Sequence, residues 1–314
     1  MSLKYEITKL GLENMDSSNN TSVRQMKTNC KRFSEWACNN GYNKIGKILE
    51  IGKERVIQEY SNHLVDKNLS PATIHTYLAA PCKALGVPMN HIEKPRRTAD
   101  TIKRSRDTQC NHQGRIEIKN NKNERIVTFQ RVVSIRRSEL AKLKGRNLVK
   151  DESGKWCVEV ERGKGGKHQL QRILPCDIDV VKAYFEGVGK NEYVFTSTEL
   201  RNKLDLHGLR AENARKAYNY YNSMSFKDKK ELVSEMKKRW LATHPQYDKD
   251  SWHYKQWIAQ LTKGKGTYVL RGANYDRAIQ KNRPTRYNRV ALMAVSMFHL
   301  SHYRLGVAAV NYML

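Results

Sequence analysis

Apolar residues recur at helical spacing through the first third of the chain. Val23, Met26, Cys30, Phe33, Trp36 and Ala37 form one stripe, and Val56, Ile57, Tyr60 and Leu64 form a second. Ser70 and Pro71 offer an N-cap and a first-turn proline to a third helix carrying Ile74, Tyr77 and Leu78, which Pro81 should end or kink. Residues 1–20 are polar, run into Ser17-Ser18-Asn19-Asn20, and are expected to form a flexible arm. The helical pattern breaks between Glu93 and Arg106, where prolines and positive charge concentrate, as expected of a linker. Strict alternation follows in Trp156 to Glu161 and Leu170 to Leu174, on either side of Gly163-Lys164-Gly165-Gly166-Lys167, which predicts a β-hairpin. Asp177 to Val188 reads as an amphipathic helix, Tyr193-Val194-Phe195 as a short buried segment, and Val290 to Leu300 as a buried helix. After a short turn placed around Gly306, an apolar helical run carries Tyr312 near the end of the sequence. The expected fold is therefore α+β and mostly α. It has a flexible arm at 1–20, a helical domain at 21–92, a basic linker at 93–107 and a mixed domain at 108–314 with a small sheet and hairpin.

Charge narrows the partner. The 314 residues hold 58 Lys and Arg against 31 Asp and Glu, a net charge of +27 spread over the whole chain. A field of that size points to a polyanion, ordinarily nucleic acid. The six cysteines include no CxxC pair, so they read as reduced thiols and not as a zinc or disulfide framework. The longest apolar run is too short to cross a bilayer and no signal peptide opens the chain, which leads us to expect a soluble cytoplasmic protein associated with the nucleoid.

Candidate chemistry lies in short boxes along the second domain. Ser134-Ile135-Arg136-Arg137-Ser138-Glu139-Leu140 places an arginine and an acid on a helix with a buried face. The hairpin tip offers Lys164 and Lys167. In Leu206-His207-Gly208-Leu209-Arg210, positions three apart share a helical face, so His207 and Arg210 can reach one phosphate. Ser301-His302 precedes Tyr312 by ten residues. Each box alone is a common pattern, whereas five in this order, behind a helical domain that opens one helix with Leu69-Ser70-Pro71-Ala72-Thr73-Ile74, resemble the tyrosine recombinases, or phage integrases. Two positions depart from the family boxes, since Ser134 and Ser301 stand where glycine is usual, and Tyr312 lies one residue further from its histidine than the usual spacing.

The resemblance implies a SAM-like core-binding domain at 21–92 and a catalytic domain at 108–314, interrupted at about 222–286 by an insertion in which aromatic and basic residues alternate. That insertion is expected to serve DNA, to serve a neighbouring protomer, or to have a small core of its own. The resemblance also implies Tyr312 as nucleophile, Arg136 and Arg210 as clamps on the phosphate oxygens, and His207 as acceptor or orienter of the tyrosine proton. His302 becomes a hydrogen-bond donor to the phosphate, Lys164 or alternatively Lys167 the acid for the leaving oxygen, and Glu139 a brace. Arg96, Arg97, Lys103, Arg104 and Arg106 are expected to lie along the DNA backbone. No cofactor, metal or ATP is expected. The implied partners are double-stranded attachment sites, a homotetramer assembled from monomers in the synaptic complex, and an accessory directionality factor. The implied function is site-specific integration or excision of a mobile element. Relaxation of supercoils by a type IB topoisomerase-like enzyme and non-catalytic DNA binding are the alternatives.

Overall fold

The structure is a computed structural model that describes residues 2–15, 20–98, 123–201 and 204–314. It is mostly helical with small antiparallel sheets. The chain divides into two compact units, 1–107 and 108–314.

In the first unit, α1 (Leu3–Glu13), α2 (Asn20–Asn39), α3 (Ile45–Ile51), α4 (Lys53–Asp66) and α5 (Pro71–Leu85) enclose a core built on Phe33, Trp36, Ile57, Tyr60, Ile74 and Leu78. The expected arm is corrected here. Ser2 caps α1 by accepting from the Tyr5 amide, and Leu3 and Ile7 are buried against α2 and α5. A stripe of three positions four apart, Leu3, Ile7 and Gly11, suffices to seat this helix, and it is too short to stand out among polar neighbours. Pro81 neither ends nor visibly splits α5, which continues to Leu85 before Gly86 closes it in the left-handed conformation. An interior proline costs about 3 kcal/mol; burial of Leu78, Cys82 and Leu85 around it outweighs that. The start of the expected linker also belongs to this unit. Gln58 and Ser61 bond the backbone of Glu93, and His75 meets the Pro95 carbonyl at 3.3 Å. Arg96 and Arg97 are exposed, while Lys103, Arg104 and Arg106 lie outside the described residues.

The second unit carries two adjoining cores. One gathers Ile126 and Phe129 of α6 (Glu124–Val132), Ile135, Leu140 of α7 (Arg137–Leu140), and the inner face of a three-stranded antiparallel sheet. The strands are β1 (Leu148–Lys150), β2 (Trp156–Val160) and β3 (Gln169–Arg172), with Val160 paired to Gln169 across the hairpin. The helix expected at 177–188 is shorter, α8 (Ile178–Ala183), and α9 (Ser197–Leu200) follows it. The second core holds Leu292, Phe298, Leu300, Ala308 and Tyr312. Between them runs α10 (Leu206–Ser223), whose Leu209 belongs to the first core and whose Ala211 and Ala214 belong to the second.

The insertion does not form a core of its own. It folds as α11 (Phe226–Thr243), α12 (Trp252–Thr262), β4 (Thr267–Val269), α13 (Ala273–Gln280) and β5 (Arg286–Asn288), and Leu232, Met236, Trp240, Trp257 and Leu261 join the same cluster as Tyr312. A buried ionic knot fastens it to the sheet. Arg172 of β3 binds Asp151 at 2.7 Å and Glu235 of α11 at 2.6 Å, while Arg239 of α11 binds Asp151 at 2.9 Å and Glu152 at 2.7 Å. The ring of Phe298 lies under the Arg172 guanidinium, 3.8 Å away. Of the interleaved aromatics, Tyr254 and Trp257 point into the core, and Trp252 and Tyr275 face solvent.

Past β5 the chain forms α14 (Arg289–Ala294), which continues as a π-helical turn over Val295–His299. The final helix begins as α15 (Leu305–Ala308) and continues in π form over Ala309–Met313. Gly306 is thus inside a helix; the reversal before it is made by Ser301 and Tyr303, both with φ above +50°.

Candidate active site

Arg136 takes its position from local capping. It is the N-cap of α7, and the carboxylate of Glu139, three residues on, accepts its backbone N–H at 2.7 Å and its Nη1 at 2.6 Å. A carboxylate at the third helical position reaches back to the cap, so the Arg-x-x-Glu spacing fixes both backbone and guanidinium. Glu139 is buried; its burial favours the neutral acid, but the bonds and charge of Arg136 outweigh this and hold its pKa below the usual carboxylate range. Ser134 is tied to α10, since its hydroxyl donates to Asn213 Oδ1 at 2.5 Å and Asn213 donates to the Arg131 carbonyl at 2.8 Å. Ser134 therefore couples the Arg136 segment to the helix of Arg210.

That helix starts under an Asp205 cap and presents His207 and Arg210 one turn apart. Arg210 sits where the two cores meet, 1% exposed. Its Nη2 donates to the Leu300 carbonyl at 2.9 Å, and its Nε has no partner among the described residues. Burial lowers its pKa from 12.5 to about 10, against the opposing pull of Tyr312. Without a matched carboxylate bond, this buried guanidinium keeps donor capacity directed at the cavity.

Tyr312 is 4% exposed, and its hydroxyl lies 3.1 Å from Nε2 of His302. The His207 ring meets the Tyr312 ring edge-on at 5.3 Å, and the Arg210 guanidinium lies 5.6 Å from it. The π-form turn at Ala309–Met313 takes up one residue more than an α-turn, and with it the ten-residue separation still brings the hydroxyl to His302. Arg215 of α10 donates to the Tyr312 carbonyl at 3.0 Å, a cation at the end of the final helix. His302 is held neutral, its pKa lowered to about 4 by burial first and then by the charges of Arg210, Arg136, Arg304 and Lys164.

A cavity of about 510 Å³ is lined by Arg136, Arg137, Lys164, His207, Arg210, His302 and Tyr312, together with Ile135 and residues 204–206. It brings together the six residues singled out as catalytic candidates, with Glu139 behind Arg136. Lys167 is exposed and absent from the lining, whereas Lys164 takes part in it.

Sequence reasoning missed the polar residues that join these parts. Gln169 Oε1 accepts from Gln171 at 3.1 Å and faces Arg136 Nη1 at 3.4 Å, and Gln171 donates to Ser301 Oγ at 2.8 Å. Two glutamines two apart share one face of a strand, and that was the available signal; both are buried. The chain of bonds runs from Arg136 to the strained turn that aims His302. Gly163 makes room for it: a Cβ there would stand 1.8 Å from Gln169 Nε2 and 3.0 Å from Glu139 Oε1. Gly163→Ala is accordingly expected to displace Gln169 and Arg136 and to lower the activity of the site about 10²-fold, with the melting temperature much less affected. A variant as active as the native protein would show that this close approach does not position Arg136.

Among the described residues no group of three or more His, Cys, Asp or Glu could hold a metal, and no helix is long and apolar enough to cross a membrane. No protein-family model matches the chain and no curated protein matches it. A crystal structure of XerA recombinase is similar over 71% of this chain and 86% of that one, at 17% identity and a TM-score of 0.25. A superposition of that quality leaves the chemistry to the side chains themselves.

Proposed function

We propose that this protein is a DNA strand-cleaving and rejoining enzyme of the tyrosine-recombinase type. The observation that carries this reading is the convergence of Tyr312, His302, His207, Arg136, Arg210 and Lys164 on one cavity in a chain of net charge +27. A tyrosine among two arginines, a lysine and two histidines suits in-line attack on a phosphodiester, whose transition-state charge needs prearranged donors.

In this reading the Tyr312 oxygen attacks phosphorus, the bond to the 5′ oxygen breaks, and a 3′-phosphotyrosyl link and a free 5′ hydroxyl result. Arg136 and Arg210 hold the non-bridging oxygens through bidentate geometry. Lys164 delivers the proton taken up by the leaving oxygen. Before DNA arrives, His302 holds the Tyr312 hydroxyl; with phosphate in place it turns its N–H to a non-bridging oxygen, and His207 beside the ring takes or orients the phenolic proton. The covalent link conserves the energy of the phosphodiester, so reversal by a second strand's 5′ hydroxyl rejoins DNA without ATP. Double-stranded attachment sites are the substrate, a homotetramer the working assembly, and insertion or excision of a mobile element the outcome.

The test is a trapping assay with nicked duplexes made from the flanks of the protein's own gene. The native chain is expected to give a protein-linked DNA band on a denaturing gel, and Tyr312→Phe none, with duplex binding retained. Salt-sensitive binding by the native chain with no adduct on any flank would leave a DNA-binding protein without this chemistry. Strand exchange between two sites then separates recombination from relaxation of supercoils.

A further inference from the structure

The segment 263–289 holds eight Lys and Arg against one acid, Asp276. Part of that charge surrounds a cleft of about 600 Å³ lined by Lys263, Arg271, Arg289, Gln260, Asn274 and Tyr268, with no acidic residue in its lining. Arg289 is half-buried and fixed. Its Nε donates to the Thr267 carbonyl at 3.0 Å, its Nη1 to the Gln260 carbonyl at 2.9 Å, and its guanidinium lies over the Tyr268 ring at 5.4 Å. Among the described residues it makes no ion pair, and neither do Lys263 and Arg271.

The contrast within this unit is informative. Arg172 and Arg239, which fasten the insertion to the sheet, are each matched by two carboxylates. Arg289 is instead oriented by neutral carbonyls and a ring, the same arrangement that leaves Arg210 uncompensated in the candidate active site. A prepositioned guanidinium without a counter-charge, flanked by two free cations and two amide side chains, is suited to an anion supplied from outside. The cleft also adjoins the final helix. Val310 lines it, and Gly306 leaves space for the Tyr268 hydroxyl, 3.3 Å from where a Cβ would stand.

We propose that this cleft grips the sugar–phosphate backbone of duplex DNA beside the strand that Tyr312 attacks, making the insertion a second DNA-contacting surface. The proposal rests on the DNA-cleaving reading above. It assigns to Lys263, Arg271 and Arg289 phosphate contacts that position the duplex without reading its sequence.

The experiment measures binding of the full chain to a labelled duplex of arbitrary sequence over a range of salt. Lys263→Gln/Arg271→Gln is expected to lower affinity about tenfold at low salt and to reduce the slope of log K against log salt by about two, near 0.9 for each phosphate no longer neutralised. Lys263→Arg/Arg271→Lys is expected to restore both, and all variants to keep the native melting temperature. Normal binding by the native chain with an unchanged slope in the Gln variant would overturn the cleft assignment alone. No duplex binding by the native chain would overturn the underlying DNA reading. Inorganic phosphate, added at constant ionic strength, is expected not to compete; selective competition that the Gln variant abolishes would assign the cleft to a small phosphate ligand and overturn the proposal. So would an unchanged slope accompanied by altered sedimentation, the result expected if a second copy of the chain occupies the cleft.

Discussion

Arg210→Met is expected to abolish covalent DNA cleavage while leaving thermal stability unchanged or raised. The guanidinium is 1% exposed, is bonded to one carbonyl, and leaves Nε without a partner among the described residues. Its desolvation is therefore offset only in part, and burial lowers its pKa to about 10. Replacing a buried ion pair by apolar groups of similar volume is often neutral or stabilising by about 1–4 kcal/mol, and a buried charge without a bonded carboxylate has less Coulomb attraction to lose. The catalytic cost runs the other way. Removing one preorganised donor to an oxyanion costs about 10²–10³ in rate, and Arg210 would supply two. The compensating charge in our reading is the DNA phosphate, so duplex should raise the melting temperature of the native chain more than that of the variant. A variant several degrees less stable than native, or one that still forms adduct at a comparable rate, would show that Arg210 is a structural residue.

Acidification is expected to destabilise the second unit well before its carboxylates titrate. His299 is fully buried, with Nε2 meeting the Tyr221 hydroxyl at 3.1 Å and Nδ1 unpartnered among the described residues, and burial lowers its pKa from 6.5 to about 3. His302 is lowered to about 4. Both folded values lie below the unfolded one, so the unfolded chain takes up protons that the folded chain refuses. Stability from these two groups is complete above pH 6.5 and falls as pH drops toward 4 and then 3. With two protons involved, the slope is about 2.7 kcal/mol per pH unit below the unfolded pKa, against a typical total of roughly 5–15 kcal/mol. Glu139 and Asp151, whose folded pKa values are lowered, add a loss of the same sign at lower pH. Melting curves between pH 8 and 5 should show the fall, and His299→Phe should halve the slope. A melting temperature flat across that range would refute the burial argument. Bound duplex, by bringing negative charge to His302, should blunt the acid sensitivity.

Mutating the ionic knot is a separate matter from mutating the site. Because Leu232, Met236, Trp240 and Trp257 share a core with Leu300 and Tyr312, excision of residues 226–280 is expected to unfold the second unit and not merely to impair assembly. A truncated chain with a native-like melt would contradict this.

The sequence by itself determined the helices whose apolar stripes are long, the hairpin of Trp156 to Arg172, and the order of the boxes that meet in the cavity. Periodicity and turn residues are local signals, and those elements are locally specified. It also determined the Arg136–Glu139 pair, since a capping carboxylate three residues on is a local device. What only the tertiary structure decided are properties of surroundings. Leu3 and Ile7 form a helix because α2 and α5 offer them a surface, and Pro81 sits within a helix because its neighbours are buried. The insertion joins the main core because Arg172 and Arg239 converge on Asp151 across residues far apart in the chain. His302 rather than His207 meets the Tyr312 hydroxyl because Ser301 and Tyr303 turn the chain at positive φ and the last helix closes in π form. Neither spacing nor composition encodes those arrangements, because each depends on which distant side chains fill the space around a residue.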